Sequence, residues 1–533
     1  MISVSREIFT VVNKSAKSVG KARELLLNDD DYAAFMMRRT LTKLKEQNKT
    51  DSNCSRIYSF AFGDEEKSDG NQSMSGRLEY CSAVALYKMH AATGFGMPAA
   101  FKLINTQDIT SGNYIRNSTR PALLIRGESN LASINSLSRT KAKAHVPSVT
   151  SEIVEKIGDL TDEIIFRLFD TFRPYVAHNI AMRGLLDKLN DAVARADLVQ
   201  NKCKSLLFDG SGVRSVFEQH LDRLKNRKED LSENSLPIPS VLSLQIDYCE
   251  SVNRAIEKHE DSVKLNRAFI LFGIDQSGFQ SRDSSDVERD TKIIRTLSKS
   301  IFDTVSTQAF QIGYLMAALT AIECLNYADS TYKIRLKNTM FISELFTEGL
   351  NSFFKIGNTR HKTVTGFSSE SRAKIFSINE TGFRGLLQAG TVRELNESRW
   401  DFFRYVILEI IHSERVFSEV NAVLDNPKHA TEAKRYREIL PNLITDLFEL
   451  RAKYTSAAVN TALESEDFKR ILFEAQTRAN EQQISDEDTR LILEKLKDDK
   501  KSEIQNVCKQ HIVASLGKFE SKDTIINRFG AMP

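Results

Sequence analysis

The sequence predicts an α+β protein that is predominantly helical, with a small mixed α/β core near the N-terminus followed by a large all-α region. Two observations lead to this fold class. Through most of the 533 residues, apolar side chains recur at three- and four-residue spacing, which is the period of an amphipathic helix. Between about residues 50 and 150 they fall instead into short apolar runs bounded by proline or glycine, as strands do.

Polar segments that contain glycine and serine mark the boundaries between four regions. The first, residues 1–49, is expected to form N-terminal helices, and the second, residues 50–150, the mixed α/β core. A helical region follows over 151–275, and a C-terminal helical domain over 287–533. Within the core, the runs "CSRIYSFAFG", "PAAFKLINT" and "RPALLIRG" fit strands, whereas "SGRLEYCSAVALYKMHAA" fits a helix.

The run "VSTQAFQIGYLMAALTAI", residues 305–322, has no charged side chain and is about long enough to cross a membrane with some thinning. Its glutamine, serine and threonine side chains lower its hydrophobicity, and a glutamate follows it directly. In a large globular protein, a helix that is apolar all round is normally part of the core. We therefore expect a buried central helix here and no membrane association.

Two helices of the C-terminal region carry recognisable starts. The first covers "NESRWDFFRYVILEIIHSERVFSEVNAVL", where Ser398 and Asp401 resemble a capping pair. The second opens with Ser485 and Asp488 in the same relation and places its acids before its lysines, as the helix dipole prefers. Trp400, the only tryptophan of the chain, is expected to anchor the packing of the first helix.

Charge and cysteine content exclude several functional classes. Lys and Arg number 74 against 71 Asp and Glu, and the net charge of +3 is too small for nucleic-acid binding through bulk charge. The six cysteines form no C-x-x-C pair and have no histidine at zinc-finger spacing, which argues against a zinc module and a disulfide framework. Charges interrupt the N-terminal segment where a signal peptide needs an apolar core, so a cytoplasmic protein is expected.

No residue pattern identifies a catalytic residue. The chain lacks the G-x-x-x-x-G-K-[ST] loop, the H-E-x-x-H motif, the G-x-S-x-G elbow and the kinase signature. His178, His220 and His412 all lie in helical patterns, where we expect packing or surface roles for them. We therefore predict no metal and no cofactor, and whether the protein is an enzyme stays open.

The stretch "PALLIRGESNLASI", residues 121–134, reads as an apolar strand, a Gly-Glu turn and a helix start. A strand that delivers a glycine turn to a helix N-terminus is a suitable phosphate site, because unpaired N–H groups and the helix dipole favour an anion there. Arg126 can add a charge-assisted contact. The candidates for phosphate or nucleotide binding in this stretch are Arg126, Gly127, Glu128 and Ser129.

This stretch resembles the motif of the ParB/sulfiredoxin-like superfamily, which includes the DGQHR-domain proteins of phosphorothioate-type DNA-modification systems. The family pattern is an apolar strand, then Asp-Gly-Gln-His-Arg, then Leu and small residues. This chain has at that place Arg126, Gly127, Glu128, Ser129, Asn130, Leu131 and Ala132. Because only Gly127 is identical within the functional motif, the resemblance implies association with DNA without the nucleotide hydrolysis known in the family.

A second segment, "IIFRLFDTFRPYVAHN", also resembles these proteins. They tend to carry a helix that ends in a phenylalanine and is followed by a turn with Asn or Arg. The residues that carry this likeness are Phe169, Asp170, Arg173 and His178.

The stretch "LLFDGSGVRSVFEQHLDRLKNRK", residues 206–228, sets a glycine-spaced turn before a basic helix, and three interpretations stay open. Asp209 can cap a helix whose basic end is merely solvated, the basic end can contact a nucleic-acid backbone, or the turn can cradle a phosphate. The cradle would use Gly210, Ser211, Gly212 and Arg214. The basic end consists of Arg223, Lys225, Arg227 and Lys228.

The run "SRTKAKAH", residues 138–145, contains no acid, so Arg139, Lys141 and Lys143 are the better candidates for DNA-backbone contacts. We expect a DNA-associated protein of a DNA-modification, regulatory or anti-phage defence system. The alternative is a helical structural or interaction protein, such as a scaffold or phage-assembly subunit without catalytic activity. Other protein subunits are expected as partners, with DNA and a second copy of the chain as further candidates.

Overall fold

A computed structural model describes residues 32–50, 81–90, 151–181, 213–326, 332–354 and 397–530, except positions 82, 282 and 306. These residues are helical almost throughout and contain no strand, so the protein is predominantly helical, as the sequence predicts. The strands expected between residues 50 and 150 lie outside the described residues. The one described segment of that region, 83–90, is helical, in agreement with the prediction for "SGRLEYCSAVALYKMHAA".

The α-helices of the described residues are numbered here in chain order. They are α1 (Tyr32–Thr50), α2 (Ala83–His90), α3 (Ser151–Thr171), α4 (173–181), α5 (Val213–Glu233), α6 (Ser240–Phe272), α7 (Gln276–Gln280), α8 (Ser284–Val305), α9 (Gln308–Asn326), α10 (Tyr332–Phe354), α11 (Glu397–Ile411), α12 (Phe417–Leu424), α13 (Ala430–Leu463), α14 (Glu466–Glu481), α15 (Asp486–Leu516) and α16 (Lys522–Gly530). Short 3₁₀ turns at Glu414–Val416 and Pro427–His429 flank α12.

Helix α9 is the buried central helix that the uncharged run predicts. Residues 309–322 are all buried. The helix begins after Thr307, whose hydroxyl accepts a hydrogen bond from the N–H of Phe310 at 3.2 Å, as an N-cap side chain does. None of the described helices is long and apolar enough to cross a membrane.

Helices α9 and α11 approach each other closely because α9 has a glycine at the contact. A Cβ atom at Gly313 would lie 2.5 Å from the Cβ of Phe403 and 2.8 Å from the carbonyl oxygen of Trp400. Trp400 is 1% exposed, so it anchors packing as expected. The backbone of α11 therefore rests directly on α9, and no side chain fits between the two helices there.

The other helices pack around this pair. Helix α10 contacts α3, α9 and α12, and α13 contacts α9, α11, α15 and α16. One cluster of buried apolar side chains extends from Ala34 in α1 to Phe529 in α16. Phe310 joins the layers, because its ring lies 5.7 Å from that of Phe172 and 5.8 Å from that of Phe403. The domain boundaries drawn from the sequence stay a prediction.

The region after α11 differs from the sequence-based expectation of one continuous helix through residue 424. Helix α11 ends at Ile411, and the hydroxyl of Ser413 donates to the carbonyl of Ile410 at 2.7 Å. A 3₁₀ turn follows before α12 begins. The serine hydroxyl takes a carbonyl that would otherwise accept a helical N–H, which is how such side chains compete with helix continuation.

The predicted capping pair at Ser398 and Asp401 is wrong. The helix begins at Glu397, so Ser398 lies inside it. The carboxylate of Asp401 is fully buried and accepts hydrogen bonds from Arg404, at 2.8 Å, and from two residues of α13. The cations of the buried Arg404 and the exposed Lys453 bind this carboxylate more strongly than a helix-terminal N–H would, and sequence spacing alone cannot show the contact with Lys453.

Two antiparallel helical hairpins extend the body. In the first, α5 and α6 are joined by residues 234–239. In the second, α14 and α15 are joined by residues 482–485, and the hydroxyl of Ser485 accepts the N–H of Asp488 at 3.1 Å. This capping pair is confirmed. A loop of so few residues places each helix antiparallel to the next.

Replacing Gly313 by Ala tests whether the backbone contact between α9 and α11 limits stability. Ala is the better helix former by ~1 kcal/mol, but the added methyl group would overlap backbone atoms that cannot rotate away. We expect a net loss of about 2 kcal/mol in the free energy of unfolding, measured by chemical denaturation. Gly530→Ala is the control, since no atom lies within 4 Å of its Cβ position, and equal effects of both changes would contradict the proposed contact.

Candidate functional site

The sequence-derived phosphate and DNA candidates fall largely outside the described residues. Those that lie outside are Arg126, Gly127, Glu128, Ser129, Arg139, Lys141, Lys143, Gly210, Ser211 and Gly212. Arg214 lies in the first turn of α5, whose start at Val213 agrees with the predicted helix after the glycine turn. The choice between a cap and a phosphate cradle therefore stays a prediction.

The basic end of α5 is described, and acidic side chains surround it. Arg223, Lys225 and Arg227 are exposed and Lys228 is half-buried. The ammonium group of Lys225 lies 2.8 Å from a carboxylate oxygen of Glu250 on α6, and this hydrogen bond raises the pKa of the lysine. The stretch from residue 221 to residue 250 contains these four basic side chains and six acidic ones. Such mixed charge is typical of a solvated helix end, and a DNA contact at these four residues stays a prediction.

The second segment of the family resemblance lies in the body. Helix α3 ends at Thr171, Phe172 is non-helical, and α4 continues past Pro174. Phe169 and His178 are buried, and His178 lies 3.3 Å from the guanidinium of Arg267. Asp170 is half-buried.

Histidines that the helical pattern assigns to packing are buried where their side chains are described. The Nδ1–H group of His412 donates to the carbonyl of Leu408 at 2.7 Å, and its Nε2 accepts the hydroxyl of Tyr436 at 2.9 Å. Burial lowers the pKa of His412 to about 4. The ring is therefore neutral at physiological pH and serves as a hydrogen-bonded core group.

Large apolar side chains are exposed at the turn of the α5–α6 hairpin. They surround two prolines in the segment "SLPIPSVLSL". The exposed fractions are 53% for Leu236, 39% for Ile238, 57% for Val241 and 62% for Leu244. Single exposed apolar residues are ordinary, but neighbouring ones on a protruding element are typical of a contact surface.

The α14–α15 hairpin exposes a second apolar set, and we define Phe473, Leu491 and Ile492 of this set as the hairpin surface. Phe473 is 70% exposed and Leu491 59% exposed. Ile471 is also exposed, but it lies about 200° from Phe473 around α14 and is outside this surface. These residues belong to triplets of consecutive apolar residues, "ILF" at 471–473 and "LIL" at 491–493. Successive helical residues are 100° apart, so a helix packed on one side cannot bury all three.

Charges around the hairpin surface are paired within their own helices. Lys469 lies 2.9 Å from Glu466 on α14, and Arg490 lies 3.0 Å from Glu494 on α15. Helix α15 has three acids in its first turn and four lysines between residues 495 and 501, with Asp498 and Asp499 among them. The first-turn acids are Asp486, Glu487 and Asp488, and the lysines are Lys495, Lys497, Lys500 and Lys501. The rim is therefore of mixed sign, acidic in the first turn of the helix and mixed farther along.

A buried charge cluster joins α11 to α13. Asp401 binds Arg404 on its own helix, and from α13 it accepts the ammonium of Lys453 at 2.7 Å and the hydroxyl of Tyr454 at 2.8 Å. Asp446, also on α13, lies 3.4 Å from the guanidinium of Arg404. One buried guanidinium thus lies between two carboxylates.

The two carboxylates of this cluster differ in pKa. Burial opposes the charge of Asp401, but Arg404 and Lys453 outweigh it and hold the pKa below its usual value. For Asp446, burial is the larger effect and raises the pKa to about 6, even though Arg404 pulls it down. The long 3.4 Å contact explains why the guanidinium does not compensate Asp446.

A further buried polar group ties α1, α2 and α3 together. Thr40 donates to Asp162 at 2.5 Å and its oxygen lies 2.9 Å from Nε2 of His90. Burial lowers the pKa of His90 to about 3. Asp162 contacts the threonine and not the histidine, so the arrangement lacks the order of a nucleophile, a base and an orienting acid.

Comparison with known proteins adds no functional assignment. Neither a family model, nor a curated protein, nor a solved structure matches the chain. Within the described ranges, no group of three or more His, Cys, Asp or Glu side chains is placed to hold a metal ion.

The raised pKa of Asp446 predicts how stability depends on pH. Its folded-state value of about 6 exceeds the usual 3.8, so the folded protein holds this proton more firmly than the unfolded chain does. The free energy of unfolding therefore falls as pH rises through this window, and above it the ionised carboxylate lowers stability in full. We expect Asp446→Asn to be more stable than the parent at about pH 7.5 by on the order of 1–3 kcal/mol.

This difference should shrink as the pH falls from about 6 and should be lost below about 4, where the parent carboxyl is protonated in both states. Urea unfolding across the pH range measures it. Glu438→Gln is the matched control, because it removes an exposed carboxylate from the same helix. A parent and an Asp446→Asn variant with parallel pH curves would show that Asp446 titrates normally.

Proposed function

We propose that the protein is a helical structural or interaction protein that associates with a second copy of itself through the hairpin surface. The observation that carries this proposal is the exposure of Phe473 and Leu491 on a helical hairpin that packs on the body through α13. A phenylalanine that is 70% exposed leaves much of its apolar area in water. Burying that area on a partner stabilises a complex by ~25 cal/mol per Å².

The charge pattern of α15 favours an identical partner. In an antiparallel pair of α15 helices, the acidic first turn of each copy lies near the lysines of the other. Such pairing makes every contact twice about a two-fold axis. A polyanion would meet Asp486 and its acidic neighbours, and a strongly acidic or basic partner would find no single-sign surface to complement.

The size of the hairpin suits a modest interface. Helix α14 has 16 residues and is therefore ~24 Å long, and two neighbouring helices are ~20 Å across. Pairing two such faces covers on the order of 1,000 Å² in total, which is near the lower limit for a specific interface. We therefore expect a dimer that dissociates on dilution.

Phe473→Glu tests this interface. The residue is largely exposed, so the change should alter the free energy of unfolding by less than about 0.5 kcal/mol. It places a charge in the apolar centre of the proposed contact, and we expect the dimer dissociation constant to rise by about tenfold or more. Sedimentation equilibrium or light scattering over a concentration series measures this constant.

Gln280→Glu adds the same charge at an exposed position of α7, outside the hairpin, and is the control. It should leave the dimer intact. A parent chain that stays monomeric at high concentration, or a Phe473→Glu variant that dimerises like the parent, would contradict self-association through this surface.

We propose DNA association as a second candidate function, in a cytoplasmic protein of a DNA-modification or anti-phage defence system. Its support is the acid-free basic run at 138–145 together with the family resemblance of the preceding stretch. The mixed α/β core expected over residues 50–150 belongs to this candidate. Because the net charge is only +3, any phosphate contact must be local.

Replacing Arg139, Lys141 and Lys143 together by Ala tests this candidate. Each lysine or arginine that neutralises a phosphate releases counterions, so we expect weaker duplex binding for all DNA sequences and a shallower dependence of affinity on salt. Fluorescence anisotropy over a salt series measures both. Replacing the exposed Lys333, Lys337 and Lys434, which lie outside the hairpin surface, is the control with equal charge change. Equal losses in the two triple variants would remove the 138–145 run as the DNA site.

A further inference from the structure

A cleft of about 390 Å³ lies where four parts of the chain meet. It is bounded by the break between α3 and α4, by α6 near its C-terminal end, by α10 and by α12. Its volume falls within the range of small-molecule sites. The residues that matter for its chemistry are Arg173, Val176, Ile270, Glu348, Asn351 and Glu419.

The backbone of Arg173 is fixed at this cleft by Asn351. The side chain of Asn351 accepts the N–H of Arg173 at 2.7 Å and donates to the carbonyl of Thr171 at 2.8 Å, so it bridges the helix break. Gly273 ends α6 at a φ of +64°, and a Cβ there would lie 3.4 Å from a terminal nitrogen of Arg173. The guanidinium of Arg173 therefore lies beside the C-terminal end of α6.

The charged ends in the cleft are not paired with one another. Among the described residues, the guanidinium of Arg173 makes no ion pair within 4 Å, and neither do the carboxylates of Glu348 and Glu419. Burial lowers the pKa of Arg173, and the negative charge of Glu348 only partly opposes this effect. One cation and two anions line the cleft, and Val176 and Ile270 add an apolar wall.

We propose that this cleft binds a basic α-amino acid, whose carboxylate pairs with Arg173, whose α-amino group pairs with Glu348 and whose side-chain cation pairs with Glu419. The carboxylate is the group that a guanidinium binds best, in a two-pronged geometry. The one positive and two negative side chains of the cleft are matched by a ligand that carries one negative and two positive charges. The aliphatic stem of such a ligand packs against Val176 and Ile270. This site is independent of the hairpin surface.

Binding of L-lysine, L-norleucine and 1,5-diaminopentane to the full chain tests the proposal. Norleucine lacks the side-chain cation, and the diamine lacks the carboxylate. We expect saturable binding of lysine by titration calorimetry and ligand-observed NMR, with each of the other two at least about tenfold weaker. Absence of lysine binding up to about 10 mM, or diamine binding as tight as that of lysine, would overturn the proposal.

Two variants assign the groups. Arg173→Gln should abolish the preference for lysine over the diamine, because only the carboxylate contact distinguishes these ligands. Glu419→Gln should weaken lysine by about tenfold while leaving norleucine unchanged. Glu419 is exposed, so this variant tests the site even if Arg173→Gln does not fold. Glu474→Gln on α14 is the control, and equal lysine affinity in Glu419→Gln and the parent would overturn the assignment of the second carboxylate.

Discussion

The close contact between α9 and α11 is the constraint on which the rest of the described structure depends. At Gly313 the two helices touch through backbone atoms, so their separation leaves no room for adjustment. Helix α9 then binds its neighbours with the few polar groups it has. The hydroxyl of Tyr314 lies 2.7 Å from that of Thr347 on α10, and Phe310 stacks towards the break after α3. The positions of α10, of that break and of the Arg173 cleft all follow from this arrangement.

The buried charges of α11 and α13 serve orientation more than stability. Removing an ion pair from water costs several kcal/mol for each ion, so a core built on Asp401, Arg404 and Asp446 is not more stable than an apolar one. However, a carboxylate that accepts bonds from both Lys453 and Tyr454 permits only one rotation of α13 against α11. Helix α13 in turn carries α15 and α16. The orientation of the hairpin surface is therefore linked to this cluster.

The sequence predicts structural features that depend on neighbouring residues, and it does not predict contacts between residues that are far apart in the chain. An uncharged run predicts α9, and the Ser485 cap predicts the start of α15, because both signals lie within one helix. Asp401 looks like a capping residue for the same reason, although two of its three partners lie 52 and 53 residues farther along the chain. The Arg173 cleft assembles from four separate segments, so no local pattern could have shown it. The sequence could have predicted the hairpin surface, because a helix that packs on one side leaves at least one of three consecutive apolar residues exposed.

The two candidate functions use different parts of the chain and support each other physically. With a net charge of +3, a single copy can bind a phosphate backbone only through a short run such as 138–145. Three cations give modest affinity at physiological salt, because releasing counterions from DNA is less favourable when the salt concentration of the solution is high. Dimerisation through the hairpin surface would join two such runs in one particle. The second run then binds at the effective concentration set by the first, which raises affinity for a long duplex without any new contact. Self-association would thus be what makes a nearly neutral protein able to hold DNA.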